Sequence, residues 1–192
     1  MRAKVRLPVF ILPIVAVAGL LVFILIGCST DKASTPDVKQ RVANALGNAG
    51  FKNLTVSSDN DKQLVTLKGD VKTLEEKDRA EDVAKNVSAG WVVANEIGVR
   101  PQGEENAASQ IDSNVDSAIE KDFKAVLIAN RMDNQHIQYD AKNGVLTLKG
   151  AVATAAKREE AEKLAATVPN VQQVVNELDV KGAKHRSKTA GE

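Results

Sequence analysis

Past residue 36 the apolar positions of the chain form a short series of segments, and the series then repeats. Val38, Val42, Ala45, Leu46 and Ala49 are spaced as one face of a helix. Val56 on one side of Asp59-Asn60-Asp61, with Val65 and Leu67 on the other, predicts a β-hairpin. Thr73 followed three residues later by Glu76 predicts a capped helix, whose buried face would hold Ala80, Val83, Ala84 and Val87. Val93, Asn95, Ile97 and Val99 alternate as a closing strand.

The second series lies 81 residues further on. Thr66-Leu67-Lys68-Gly69 returns as Thr147-Leu148-Lys149-Gly150, and residues 65–99 share 14 identities with residues 146–180. Val115, Ile119, Phe123, Val126 and Leu127 form the second opening helix. Ile137, Asn143-Gly144, Leu146 and Leu148 form its hairpin. Thr154 with Ala161, Leu164, Ala165 and Val168 gives the second capped helix, and Val174, Asn176, Leu178 and Val180 the closing strand. The fold class is therefore α+β: two tandem αββαβ modules, each a three-stranded mixed sheet with two helices packed on one face. That architecture leaves the other sheet face open to solvent or partners. Gly69 and Gly150 are expected to end their strands for backbone reasons, and Asn95 and Asn176 to make capping or turn hydrogen bonds.

The expected boundaries are a leader at 1–27, a tether at 28–35, a first module at 36–100 and a polar linker at 101–112. A second module at 113–181 and a disordered basic tail at 182–192 complete the chain. Residues 1–6 are positive, residues 7–26 are almost wholly apolar, and the run stops at Gly27-Cys28-Ser29. That is an export signal in charge and polarity. The run is also long enough for an uncleaved transmembrane helix, although Pro8 and Pro13 interrupt it early. Leu25-Ile26-Gly27-Cys28 resembles the lipobox of bacterial lipoproteins, which implies diacylglycerol (palmitate-type) attachment at Cys28 and cleavage before it. Ser29 after that cysteine implies an outer-membrane protein facing the periplasm.

Charge and composition narrow the function classes. Net charge is +1 with the leader included, so a broad basic field for nucleic acid is absent. Aromatic residues are 3% of the chain, too few for base or sugar stacking. The single cysteine rules out an internal disulfide. His136 and His185 are the only histidines and belong to no catalytic or metal-ligand pattern, and Glu75-Glu76 and Glu159-Glu160-Glu162 read as helix-dipole and surface charges. No enzyme, cofactor or metal is expected.

The segments Val65-Thr66-Leu67-Lys68-Gly69-Asp70-Val71 and Val93-Ala94-Asn95-Glu96-Ile97-Gly98-Val99, and their repeats at 146–152 and 174–180, resemble the BON domain. The tandem pair behind a lipobox is similar to the dual-BON outer-membrane lipoproteins. The resemblance implies phospholipid binding and maintenance of the envelope under osmotic or other stress, with anionic lipid contacted by the first helix of the second module, here about Ser113 to Arg131. Recruitment of a cell-wall enzyme or envelope assembly as a protein partner is the alternative. On that helix Lys121, Lys124, Ile128 and Arg131 lie off the apolar stripe, with Glu120 and Asp122 among them. Taken alone, this pattern is that of a solvated mixed-charge face. The tail cations Lys181, Lys184, Arg186 and Lys188 suit either an anionic surface or a solubilising end.

Overall fold

The computed structural model describes residues 37–181, so Cys28, the leader, the tether and the tail beyond Lys181 lie outside the described residues. The first module runs α1 (Val38–Asn48), β1 (Thr55–Asp59), β2 (Leu64–Val71), α2 (Leu74–Val87) and β3 (Val92–Val99). The second runs α3 (Glu105–Ala129), β4 (His136–Lys142), β5 (Val145–Val152), α4 (Ala155–Ala165), β6 (Gln173–Asn176) and β7 (Asp179–Val180).

In each module the hairpin strands pair antiparallel and the last strand joins parallel to the hairpin's second strand. The right-handed crossover of such parallel strands puts the connecting helix on one face of the sheet. Apolar residues of that face, Val65, Leu67, Val93 and Ile97, close on Val42 and Leu46 of α1 and Ala80 and Ala84 of α2. The second core repeats this with Leu146, Leu148 and Leu178 against Ile119, Phe123, Leu127, Ala161 and Ala165. Small alanines on α2 and α4 let those helices sit close to the sheet.

Local details follow the sequence in part. Thr73 Oγ1 accepts the Glu76 N–H at 3.2 Å, and Thr154 Oγ1 does the same for Lys157. Asn95 Nδ2 donates to Lys77 O and to Glu81, and its Oδ1 accepts the Ile97 N–H. Asn176 repeats all three bonds with Arg158, Glu162 and Leu178. Each asparagine thus ties the second helix of its module to the closing strand.

Four expectations need correction. The strands do not end at Gly69 and Gly150 but continue to Val71 and Val152. Both glycines have positive φ, and a Cβ at either would press on the carbonyl of the neighbouring strand or loop, of Asn53 or His136. The stretch expected as linker is helical from Glu105, which lengthens α3 to 25 residues. The second closing strand is split at Glu177-Leu178 into β6 and β7, both on β5.

The largest correction concerns the open sheet faces. They meet one another. Leu64 and Ala94 of the first sheet and Val145 and Val175 of the second point away from their own cores and form a shared apolar cluster, all four buried. Leu64 and Val145 are repeat counterparts, as are Ala94 and Val175, so the seam has a pseudo-twofold character. The polar contacts obey the same relation. Lys62 donates to Glu177 O, and its counterpart Asn143 donates to Glu96 O at 2.7 Å, Glu96 being the counterpart of Glu177. Gln173 breaks the symmetry: its amide bonds Val93 O at 2.6 Å and the Asn95 N–H at 3.1 Å, satisfying the free edge of β3 as another strand would.

Candidate functional site

The candidate site lies on α3. Asp116, Ile119, Phe123 and Leu127 face the second core, and Phe123 meets Tyr139 edge to face with ring centroids 5.1 Å apart. Burial pushes the Tyr139 hydroxyl's pKa up, and Glu120 adds to the effect. At 3.6 residues per turn, Lys121, Lys124 and Ile128 fall on one side of the helix axis, Arg131 follows just past the helix end, and all four are exposed, Ile128 to 55%.

Neither of the two acids beside this face, Glu120 and Asp122, lies within it. Glu120 turns toward the sheet and accepts the Ala141 N–H at 3.2 Å. Asp122, one residue after Lys121, falls on another side of the helix. A stripe of three cations with one isoleucine remains.

Arg131 occupies an unusual backbone position. Helix α3 ends in a Schellman arrangement: the Met132 N–H bonds Leu127 O at 2.8 Å and the Arg131 N–H bonds Ile128 O at 3.1 Å. The residue between, Arg131, has φ of 55°, a left-handed conformation that side chains other than glycine adopt at a cost. The end of α1 has the same pair of bonds, and there the residue is Gly50, with φ of 98°. The other positions of the stripe also differ between modules. Lys121, Lys124 and Ile128 correspond to Gln40, Ala43 and Gly47. Only the second module carries the basic and apolar face.

Helix α3 is anchored to the seam by acids on its other side. Both oxygens of Asp116 accept backbone N–H groups of the β4–β5 turn, from Asn143 at 3.0 Å and Gly144 at 3.2 Å. Arg100, at the end of β3, pairs with Asp112 and with Asp70. Lys77 of α2 donates to Asn143 O at 3.2 Å. Its burial lowers the Lys77 pKa against the opposing pull of Asp112, Glu81, Asp78 and Asp116. Neither Asp112 nor Asp116 was singled out from sequence. Their position on the helix face beside the apolar stripe is the signal the sequence offers, but the groups they bind, Arg100 for Asp112 and the β4–β5 turn for Asp116, belong to other elements.

Among the described residues no group of three or more His, Cys, Asp or Glu could hold a metal ion, and no helix is long and apolar enough to cross a membrane.

A pair of two-layer α+β modules joined through their sheets defines a class of tandem small-domain α+β proteins. Residues 30–101 and 115–182 match the BON domain, and the chain belongs to that family. It is 30% identical over 152 residues to Osmotically-inducible protein Y of Escherichia coli (strain K12), a match covering 79% of this chain and 73% of that protein. Two solved structures of CdsD, a structural protein of the type III secretion system of Chlamydia trachomatis, are similar at 16% and 17% identity, with TM-scores of 0.30 and 0.31. Those matches cover 71% and 74% of this chain and 61% of each solved chain.

Proposed function

We propose that this protein is a non-catalytic, lipid-anchored envelope protein that binds anionic phospholipid through α3 and helps maintain the envelope under osmotic or other stress. The observation that carries the reading is the exposed set Lys121, Lys124, Ile128 and Arg131, from which the Glu120 carboxylate is turned away. Cations near an anionic membrane contribute about 1 kcal/mol each, and an exposed isoleucine among them can enter the interface. A residue held in a left-handed conformation at the end of that stripe supports a role for the Arg131 side chain beyond folding.

Export and acylation at Cys28 would keep this face close to a membrane, and two or more acyl chains make such an anchor stable. An outer-membrane location facing the periplasm follows from Ser29 under the same reading. The stress role is supported by membership of the BON family and by the name of the Escherichia coli relative.

The test is sedimentation of the chain from Ser29 onward with vesicles of phosphatidylglycerol or phosphatidylcholine. Binding is expected to the anionic vesicles only, and to weaken at least about tenfold in Lys121→Glu/Lys124→Glu. Equal binding to both vesicle types, or an unaffected variant, would refute the lipid reading. Retention of one envelope protein in place of vesicles would favour the recruiting role.

A further inference from the structure

A second feature lies in the first module, away from the α3 stripe. The α1–β1 loop, the end of β2, the start of α2 and the end of β3 line an open cavity of about 360 Å³. Lys52, Lys72, Arg79 and Arg100 line it, with two carboxylates, Asp70 and Glu76. Phe51, Leu54 and Val71 supply apolar wall.

The charges are unequally committed. Arg100 is held by Asp70 at 3.5 Å and by Asp112. Glu76 accepts the Lys72 N–H at 2.8 Å, which fixes its carboxylate on the backbone. Arg79 lies over the Phe51 ring, 5.6 Å from its centroid, and donates to Ala49 O at 3.3 Å. Those contacts position its guanidinium without neutralising it. The Lys52 and Lys72 side chains are exposed and make no ion pair among the described residues. Three cations, Lys52, Lys72 and Arg79, therefore face the cavity without a carboxylate of their own.

The fold does not require them. In the second module Lys52, Lys72 and Arg79 correspond to Asp133, Ala153 and Glu160, while Asp70 and Glu76 correspond to Ala151 and Lys157. The cores of the two modules match, whereas the rim changes sign at Lys52, Glu76 and Arg79 and loses its charge at Asp70 and Lys72.

We infer that the cavity is an anion site for a phosphate group, borne by a small soluble phosphate or by a lipid headgroup. Lys52 and Lys72 would supply point charges at the mouth and Arg79 a fixed donor fork. The volume accommodates a phosphate and a small substituent. This site shares no residue with the α3 stripe, so either can fail without the other.

The experiment follows amide shifts of the full-length protein in a phosphate-free maltoside detergent. Titrants are inorganic phosphate, glycerol 3-phosphate and, separately, nanodiscs containing phosphatidylglycerol, with chloride at matched ionic strength as the control. Saturable shifts confined to Phe51–Leu54 and Val71–Thr73 are expected. They should weaken at least about tenfold in Lys52→Ala/Lys72→Ala, survive in Lys52→Arg/Lys72→Arg, and persist in Lys121→Glu/Lys124→Glu. Saturation by the soluble phosphates assigns a free ligand, and saturation by nanodiscs alone assigns a headgroup. Shifts that do not saturate, that chloride reproduces, or that the double alanine variant retains would overturn the site.

Discussion

Arg131 stands where Gly50 stands in the preceding repeat: each is the left-handed residue closing the first helix of its module, and each helix end has the same two backbone bonds. The second module accepts the conformational cost of a side chain there. Arg131→Gly is therefore expected to raise stability by about 1 kcal/mol, read as a higher denaturant midpoint, while anionic-vesicle binding weakens. Loss of stability together with binding would make Arg131 a packing residue instead.

The seam gives a second expectation. Ala94 is 1% exposed between the two sheets, beside Leu64, Val145 and Val175. Ala94→Glu would bury an unpaired carboxylate at a cost of several kcal/mol, about 3 or more, unless the modules part. Small-angle scattering should then show a larger radius of gyration with both cores still folded. An unchanged radius would mean that the seam tolerates the charge.

Gly69 and Gly150 are counterparts with different surroundings. A Cβ at Gly150 would fall on the carbonyl oxygen of His136, whereas at Gly69 it would stand 3.0 Å from the Asn53 oxygen and from a Leu54 side-chain carbon. Both glycines have positive φ, so both alanine variants carry backbone strain of about 1 kcal/mol or more. Gly150→Ala should be the more damaging in thermal unfolding because its Cβ would stand much closer to a backbone oxygen than the 3.0 Å at Gly69. The reverse order would show that β4 moves more easily than the α1–β1 loop.

Lys77 is 7% exposed, and burial holds its pKa below the ordinary lysine value. The unfolded chain therefore binds its proton more tightly than the folded one. Between the lowered folded pKa and the ordinary value of 10.5, rising pH should add stability through this group. Urea titrations across the alkaline range should show that contribution in the parent and not in Lys77→Met. Parallel pH profiles would contradict it.

Much of this architecture was legible along the chain. Helical spacing, alternation on the strands and the Thr73 and Thr154 caps identify both modules, because each signal depends on neighbours a few residues away. The lysines and Ile128 of α3 could be located in the same way, though Glu120 could not be separated from them. Its carboxylate leaves the face only because Ala141, on the next strand but far along that strand, offers an N–H.

The sequence by itself determined two α+β modules, their cores and the candidate face, since hydrophobic period and local hydrogen bonding are encoded over short stretches. Tertiary structure alone decided that the two open sheet faces close on each other, that Asp112 and Asp116 tie α3 to that seam, and that Lys52, Lys72 and Arg79 share one cavity. These relations join residues of different elements, Asp112 and Asp116 lying 12 and 27 positions from Arg100 and Asn143. An exposed alternating strand has the same sequence pattern whether water or another sheet covers it, and only packing distinguishes the two.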